Sequence, residues 1–273
     1  MKKLTFASFP ILILILLFSG TCYSETEGAI AWFPKIDTAI LSTSQNVDFI
    51  PNLTAYQQTT DYTCGPAALL SLAKFYGLPD IREDAKTEMR MAHELGTRDL
   101  NSSQPGTKPQ EMVAWLEKNG FNVQLQFEDK GDSTALQRLR DNIRQGIPTL
   151  VEWIDLSGHW AIAVGYDYRN ESDPWDDVLI LADPYDRYDD YCDGYSFVNA
   201  NRFYWMWFDA LYFDKITWRT MITASPKEPL GQKSNHPIQR HNNNNVCRLS
   251  PMERRCLWII SKISTTSSYP SHQ

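Results

Sequence analysis

Apolar residues follow a helical spacing in the first part of the chain and a strand spacing later. After Cys64, the residues Ala67, Leu69, Leu70, Leu72, Ala73 and Tyr76 form an apolar helical face that ends at Gly77, a residue type suited to closing a helix. Pro109 to Asn119 repeats the pattern with Met112, Val113, Trp115 and Leu116 before Gly120, and Thr134 to Gln145 reads as another helix, ended by Gly146. The spacing then changes. Pro148 to Ile154 and His159 to Tyr166 are β-rich runs joined by the turn-like Asp155-Leu156-Ser157-Gly158, which predicts an antiparallel pair. Val178 to Ala182 and Thr217 to Thr223 read as further strands. Helices first and an antiparallel sheet afterwards predict an α+β domain with a cleft between its helical and sheet halves.

The pattern fails at both ends. Lys2, Lys3 and the unbroken apolar run from Ile11 to Phe18 have the form of an export signal, and the run is shorter than the ~20 residues that span a bilayer. Residues 25 to 47 lack strong periodicity. From about Ser225 the chain turns to Pro226, Pro229, Gly231, Pro237, the asparagines 242–245 and a Ser/Thr-rich end, the composition of a disordered tail. The expected organisation is a signal peptide over 1–24, a linker over 25–47, a catalytic domain over 48–225 and a tail over 226–273. Periplasmic or extracellular location follows from the signal, with membrane contact only through that segment or through a lipid on Cys22. Ser19 and Thr21 match the lipid-attachment pattern poorly.

Composition narrows the choice of chemistry. With 273 residues, 42% of them hydrophobic, the chain can bury one sizeable core. A net charge of -7 argues against a nucleic-acid partner, which calls for a basic face. The aromatic content of 12% suits a packed core or a ligand-facing cleft. Five cysteines and five histidines show no metal-ligand spacing, so neither a zinc site nor any other cofactor is expected. An exported protein has the option of pairing Cys247 with Cys256 across a short loop. Asp173, Asp176, Asp177, Asp186, Asp189, Asp190 and Asp193 lack the calcium-loop signature and read as a solvated acidic surface.

Three residues suggest acyl transfer. Cys64 lies just before an apolar helix, in Tyr62-Thr63-Cys64-Gly65-Pro66, where backbone N–H groups and the helix dipole favour a thiolate. Gly65 allows close backbone approach and Pro66 suits a first helical turn. His159 opens a strand after Gly158, and Asp183 emerges at the end of the run Leu179 to Ala182. Taken singly, a cysteine at a helix start, a histidine on a strand and an Asp-Pro turn are common structural residues. Together they supply a nucleophile, a base and a group that fixes the imidazole tautomer. A donor to the developing oxyanion is also required, and Gln58 or its neighbour Gln57 lies within reach of Cys64.

These motifs resemble the double-glycine leader peptidases of bacteriocin export systems and their stand-alone, papain-like relatives. The likeness is carried by Gln58 through Gly65, Phe75-Tyr76-Gly77, Gly106-Thr107, Gly146-Ile147-Pro148, Gly158-His159-Trp160, Val164-Gly165-Tyr166-Asp167 and Asp183-Pro184. It implies a papain-like fold and assigns nucleophile, base, orienting acid and oxyanion donor to Cys64, His159, Asp183 and Gln58. The expected function is hydrolysis of a peptide or isopeptide bond in a peptide or protein substrate through a Cys64 thioester. The transporter-linked relatives carry a membrane domain and an ATPase that this chain lacks, so the double-glycine substrate is not carried over. Two alternatives keep the cleft: acyl or γ-glutamyl transfer or cell-wall peptide cutting with the same triad, and a catalytically silent peptide-binding module using Trp160, Trp205 and Trp207.

Overall fold

Two adjacent runs of the chain, Thr149–Trp153 (β3) and His159–Asp167 (β4), are buried along nearly their whole length rather than at alternate positions. Continuous burial means that both faces of this part of the sheet are covered. The computed structural model describes residues 46–169, 176–187, 193–209 and 215–228. The expected signal peptide, nearly all of the expected linker, residues 229–273 of the expected tail, and Cys22, Cys192, Cys247 and Cys256 lie outside the described residues. So do Asp173, Asp189 and Asp190.

In chain order the elements are Val47–Phe49 (β1), Cys64–Phe75 (α1), Ala85–Leu95 (α2), Pro109–Lys118 (α3), Phe121–Gln126 (β2), Ala135–Arg144 (α4), β3, β4, Val178–Ala182 (β5), Tyr195–Asn199 (β6), Ala200–Met206 (α5) and Met221–Pro226 (β7). The fold is α+β, with the helices gathered largely before a wholly antiparallel sheet in the order β2-β7-β3-β4-β5-β6, to which β1 adds along β4. Both α1 and α4 pack on β4, so the longest strand is the meeting point of the two halves. One apolar cluster links them, with Leu69, Leu72, Met112, Leu116, Leu150 and Ile162 fully buried.

The glycines read as helix ends, Gly77, Gly120 and Gly146, all take positive φ, the left-handed conformation in which a side chain is costly. The antiparallel pair predicted around residues 155–158 is β3 with β4, and Trp153 faces His159 across it.

Other elements differ from expectation. Helix α2 is capped by Asp84, whose side chain accepts a hydrogen bond from Thr87 N, and ends at Gly96; its buried face, Thr87, Glu88, Met91, Ala92 and Leu95, mixes polar with apolar residues. Strands β2 and β6 and helix α5 likewise had no counterpart in the reading of the sequence. The last strand was expected over Thr217–Thr223 but runs from Met221 to Pro226. Arg219, with φ of 55°, interrupts extended geometry just before it, leaving only a bridge between Phe208 and Trp218. At the far end Lys227 N still donates to Gly120 O, so ordered pairing continues past residue 225.

Candidate active site

A helix that begins at a cysteine exposes its first N–H groups, which have no acceptor inside the helix. Thr63, at the N-cap of α1, leaves them uncapped: its hydroxyl donates instead to Glu88 Oε1 at 2.5 Å. Cys64 is nearly buried and lines a cleft of about 460 Å³. Gly65 is required at the next position, because a Cβ there would lie 2.7 Å from Thr107 Oγ1 and 2.9 Å from Thr107 Cβ. Thr107 in turn accepts from Trp160 Nε1 through its carbonyl at 3.0 Å, which joins α1 to the strand that carries His159.

The second wall comes from β4 and β5. Their register pairs Ile162 with Ala182, and continuing it places Asp183 opposite Ala161, on the same face as His159 two residues away. His159 Nε2 lies 2.6 Å from Asp183 Oδ1, with both side chains essentially buried. Asp183 Oδ1 also accepts from Tyr185 N and its Oδ2 from the Ser196 hydroxyl, so both carboxylate oxygens are engaged. Asp183 thus fixes the ring and leaves Nδ1 to face Cys64, with which the imidazole is hydrogen-bonded. Burial alone would lower the histidine pKa, but the Asp183 carboxylate, its hydrogen bond and Cys64 outweigh that and push it up to about 10. Burial likewise opposes ionisation of Asp183, and the interaction with His159 and the other donors still holds its carboxyl below the usual range.

The two glutamines are used differently. Gln57 turns away from the cleft: its Nε2 donates to Asp183 O at 2.8 Å and its Oε1 accepts from Asp186 N. Gln58 lines the cleft beside Cys64, with one amide hydrogen directed to Thr60 O at 2.7 Å. The segment between Gln58 and Cys64 is held by a residue that sequence reasoning missed. The fully buried Glu88 carboxylate accepts from Thr59 N, the Thr59 hydroxyl and the Thr63 hydroxyl, and is hydrogen-bonded to Tyr56. Glu88 shares the buried face of α2 with Thr87, Met91, Ala92 and Leu95, and a glutamate on that face gives no sign in the sequence of being buried.

Glu152 was also missed. It lies on β3 opposite Trp160 and lines the same cleft. Of the tryptophans considered as recognition residues, Trp160 lines the cleft, Trp205 is exposed and Trp207 is wholly buried, its Nε1 donating to Thr220 O. Among the described residues no group of histidines, cysteines and carboxylates is arranged to hold a metal ion, and no helix is long and apolar enough to cross a membrane.

Comparison with known proteins gives the relationship. The sequence profile described as the Peptidase_C39 like family matches residues 50–207, more than half of the chain. Among solved structures, the peptidase domain of Streptococcus ComA, described as a bi-functional ABC transporter involved in a quorum sensing pathway, is 19% identical over 64% of this chain and 99% of its own, with a TM-score of 0.43. A double glycine motif protease from an AMS/PCAT transporter, solved in complex with the leader peptide, is 11% identical over 67% of this chain and 96% of its own, with a TM-score of 0.35. UfSP from C. elegans is 12% identical over 68% of this chain and 35% of its own, with a TM-score of 0.37. No curated protein sequence matches the chain. The relationship therefore rests on the profile, whose span includes both walls of the cleft and every residue from Gln58 to Asp183: the chain belongs to the Peptidase_C39 like family of cysteine peptidases.

Proposed function

We propose that this peptidase cleaves a peptide or isopeptide bond through a thioester on Cys64, with His159 as base and acid, Asp183 orienting the ring and Gln58 donating to the oxyanion. The observation that carries the reading is the placing of His159 between Cys64 and a fully engaged Asp183. The sulfur attacks the scissile carbonyl carbon as thiolate while His159 holds the proton as imidazolium. Charge moves to the carbonyl oxygen, where the Cys64 backbone N–H and the free amide hydrogen of Gln58 are the available donors. As the tetrahedral intermediate collapses, the C–N bond breaks and the departing amine takes the proton from His159 Nδ1. Water then attacks the thioester, giving a proton back to Nδ1; the C–S bond breaks and releases the acid and the thiolate. No cofactor enters these steps.

The substrate is a peptide or protein met outside the cytoplasm, a reading supported by the signal-like Lys2 to Ser24 segment. Cys64→Ala should abolish turnover and the thioester detectable by intact mass, with the melting temperature nearly unchanged because the thiol is small. Turnover within tenfold of the wild type would overturn the assignment.

A further inference from the structure

Glu152 is a carboxylic acid in a place where such groups are costly. It is 5% exposed, its Oε2 has no hydrogen-bond partner, and it sits on the floor of the cleft next to Cys64. An unpaired buried acid of this kind is expensive to keep and adds nothing to packing that a glutamine or leucine would not supply. It belongs to none of the steps above, since His159 already moves the proton and Asp183 already orients it.

The surroundings indicate what would pair with it. The described cleft lining holds a second carboxylate, Asp61, and no lysine or arginine. Burial, with negative charge from Asp209 and Cys64 beside it, holds the Glu152 carboxyl well above the usual range. An anionic side chain placed beside Glu152 would face the carboxylates of Glu152, Asp61 and Asp209, and the one cation in the described lining, His159, is already paired with Asp183. A neutral apolar one would leave the acid unpaired. A lysine or arginine side chain would supply the missing donor and the opposite charge at once, giving the strong, charge-assisted form of hydrogen bond. We propose that Glu152 is a specificity-determining residue, and that it selects substrates carrying a lysine or arginine side chain within a residue or two of the scissile bond. This rests on the reading of Cys64 as nucleophile.

The test uses the full chain and irreversible peptidyl vinyl sulfones that alkylate Cys64. The probes differ only in having lysine, norleucine, glutamine or glutamate at the first or second residue before the electrophile, and each rate is divided by that protein's rate with iodoacetamide. For at least one of the two positions, the wild type should react with the lysine probe at least about tenfold faster than with the norleucine probe, and slowest with glutamate. In Glu152→Gln, which keeps the shape of the side chain, the lysine-to-norleucine ratio should fall to about two or less. A wild-type ratio near one at both positions overturns the proposal without any variant. So does a ratio unchanged in Glu152→Gln, or a preference for glutamine over lysine, which would mean that a neutral acid pairs with a neutral amide. Failure of Cys64 to react even with iodoacetamide would instead overturn the nucleophile assignment on which the proposal stands.

Discussion

The two walls of the cleft are held in place by different means. On the helical wall, Gln58 and Cys64 are six residues apart, and one buried carboxylate, Glu88, gathers the hydrogen bonds of the loop between them. On the sheet wall, His159 opens β4 and Asp183 directly follows β5, and they meet through the β4–β5 register, which a continuous core enforces. A hydrogen-bonded loop can shift a reacting atom by an ångström without unfolding. A strand register changes all at once or not at all, because a one-residue slip reverses every side chain. Substitutions on the two walls should therefore separate turnover from stability in different ways.

After loss of the nucleophile itself, the largest effect is expected at Asp183→Asn, with turnover falling between about 10²- and 10⁴-fold as the ring loses its orientation. The pH profile sharpens this. His159, raised from 6.5 to about 10, holds its proton through the neutral range, so the alkaline limb of activity should lie high in the wild type and move down in the variant. The same interaction stabilises the fold fully below pH 6.5 and is lost as pH rises toward 10, whereas the lowered Asp183 contributes only above the ordinary carboxylate range. The melting-temperature gap between wild type and variant should thus be widest near pH 5–6 and close toward pH 10. A gap that widens in alkali would contradict the geometry.

Next in size is Gln58→Ala, which should lower turnover by roughly a hundredfold or more, as loss of one oxyanion donor does, with little change in melting temperature or in alkylation by iodoacetamide. Gln57→Ala should show the opposite split. It removes contacts to the backbone at Asp183 and Asp186 and should cost about 1–2 kcal/mol in a denaturation curve with a modest effect on turnover. If Gln57→Ala is the variant that damages turnover, the oxyanion donor is misassigned by one residue.

An effect smaller on turnover than that of Gln58→Ala is expected at Glu88→Gln. The amide turns one acceptor into a donor facing Thr59 and Thr63, costing about 1–3 kcal/mol of stability and lowering turnover by less than Gln58→Ala does. Because Glu88 acts through the loop, its variant should reduce kcat at nearly constant KM, and Glu88→Asp should restore less than half of the loss. A change confined to KM would place Glu88 in substrate binding instead.

Much of this arrangement was legible because its parts are local. Cys64 before an apolar helix, Gly158-His159 opening a strand and Asp183 just after another are each visible within a few residues; Gln58, Cys64 and His159 line one cleft, and Asp183 is buried against His159. Glu88 and Glu152 were not legible. A glutamate in the first turn of a helix and one within Leu150-Val151-Glu152-Trp153 read as ordinary polar positions, and each is buried only by partners distant in sequence. The shift of the last strand has the same origin, since Arg219 looks extended until its positive φ is seen.

The place of β7 has a consequence for timing. It is the last strand in the chain, yet it lies between β2 and β3, antiparallel to both. Synthesis delivers β2, which ends at Gln126, and β3, which ends at Trp153, well before the segment that joins them, which begins at Met221. Until Met221–Pro226 arrives, both strands present an open edge, and the strand bearing Glu152 has a neighbour on one side only. Such late, non-local closure is slow to form. A protease assembled in this order has the sheet that carries Glu152 and His159 completed only once nearly all of the described chain has been made.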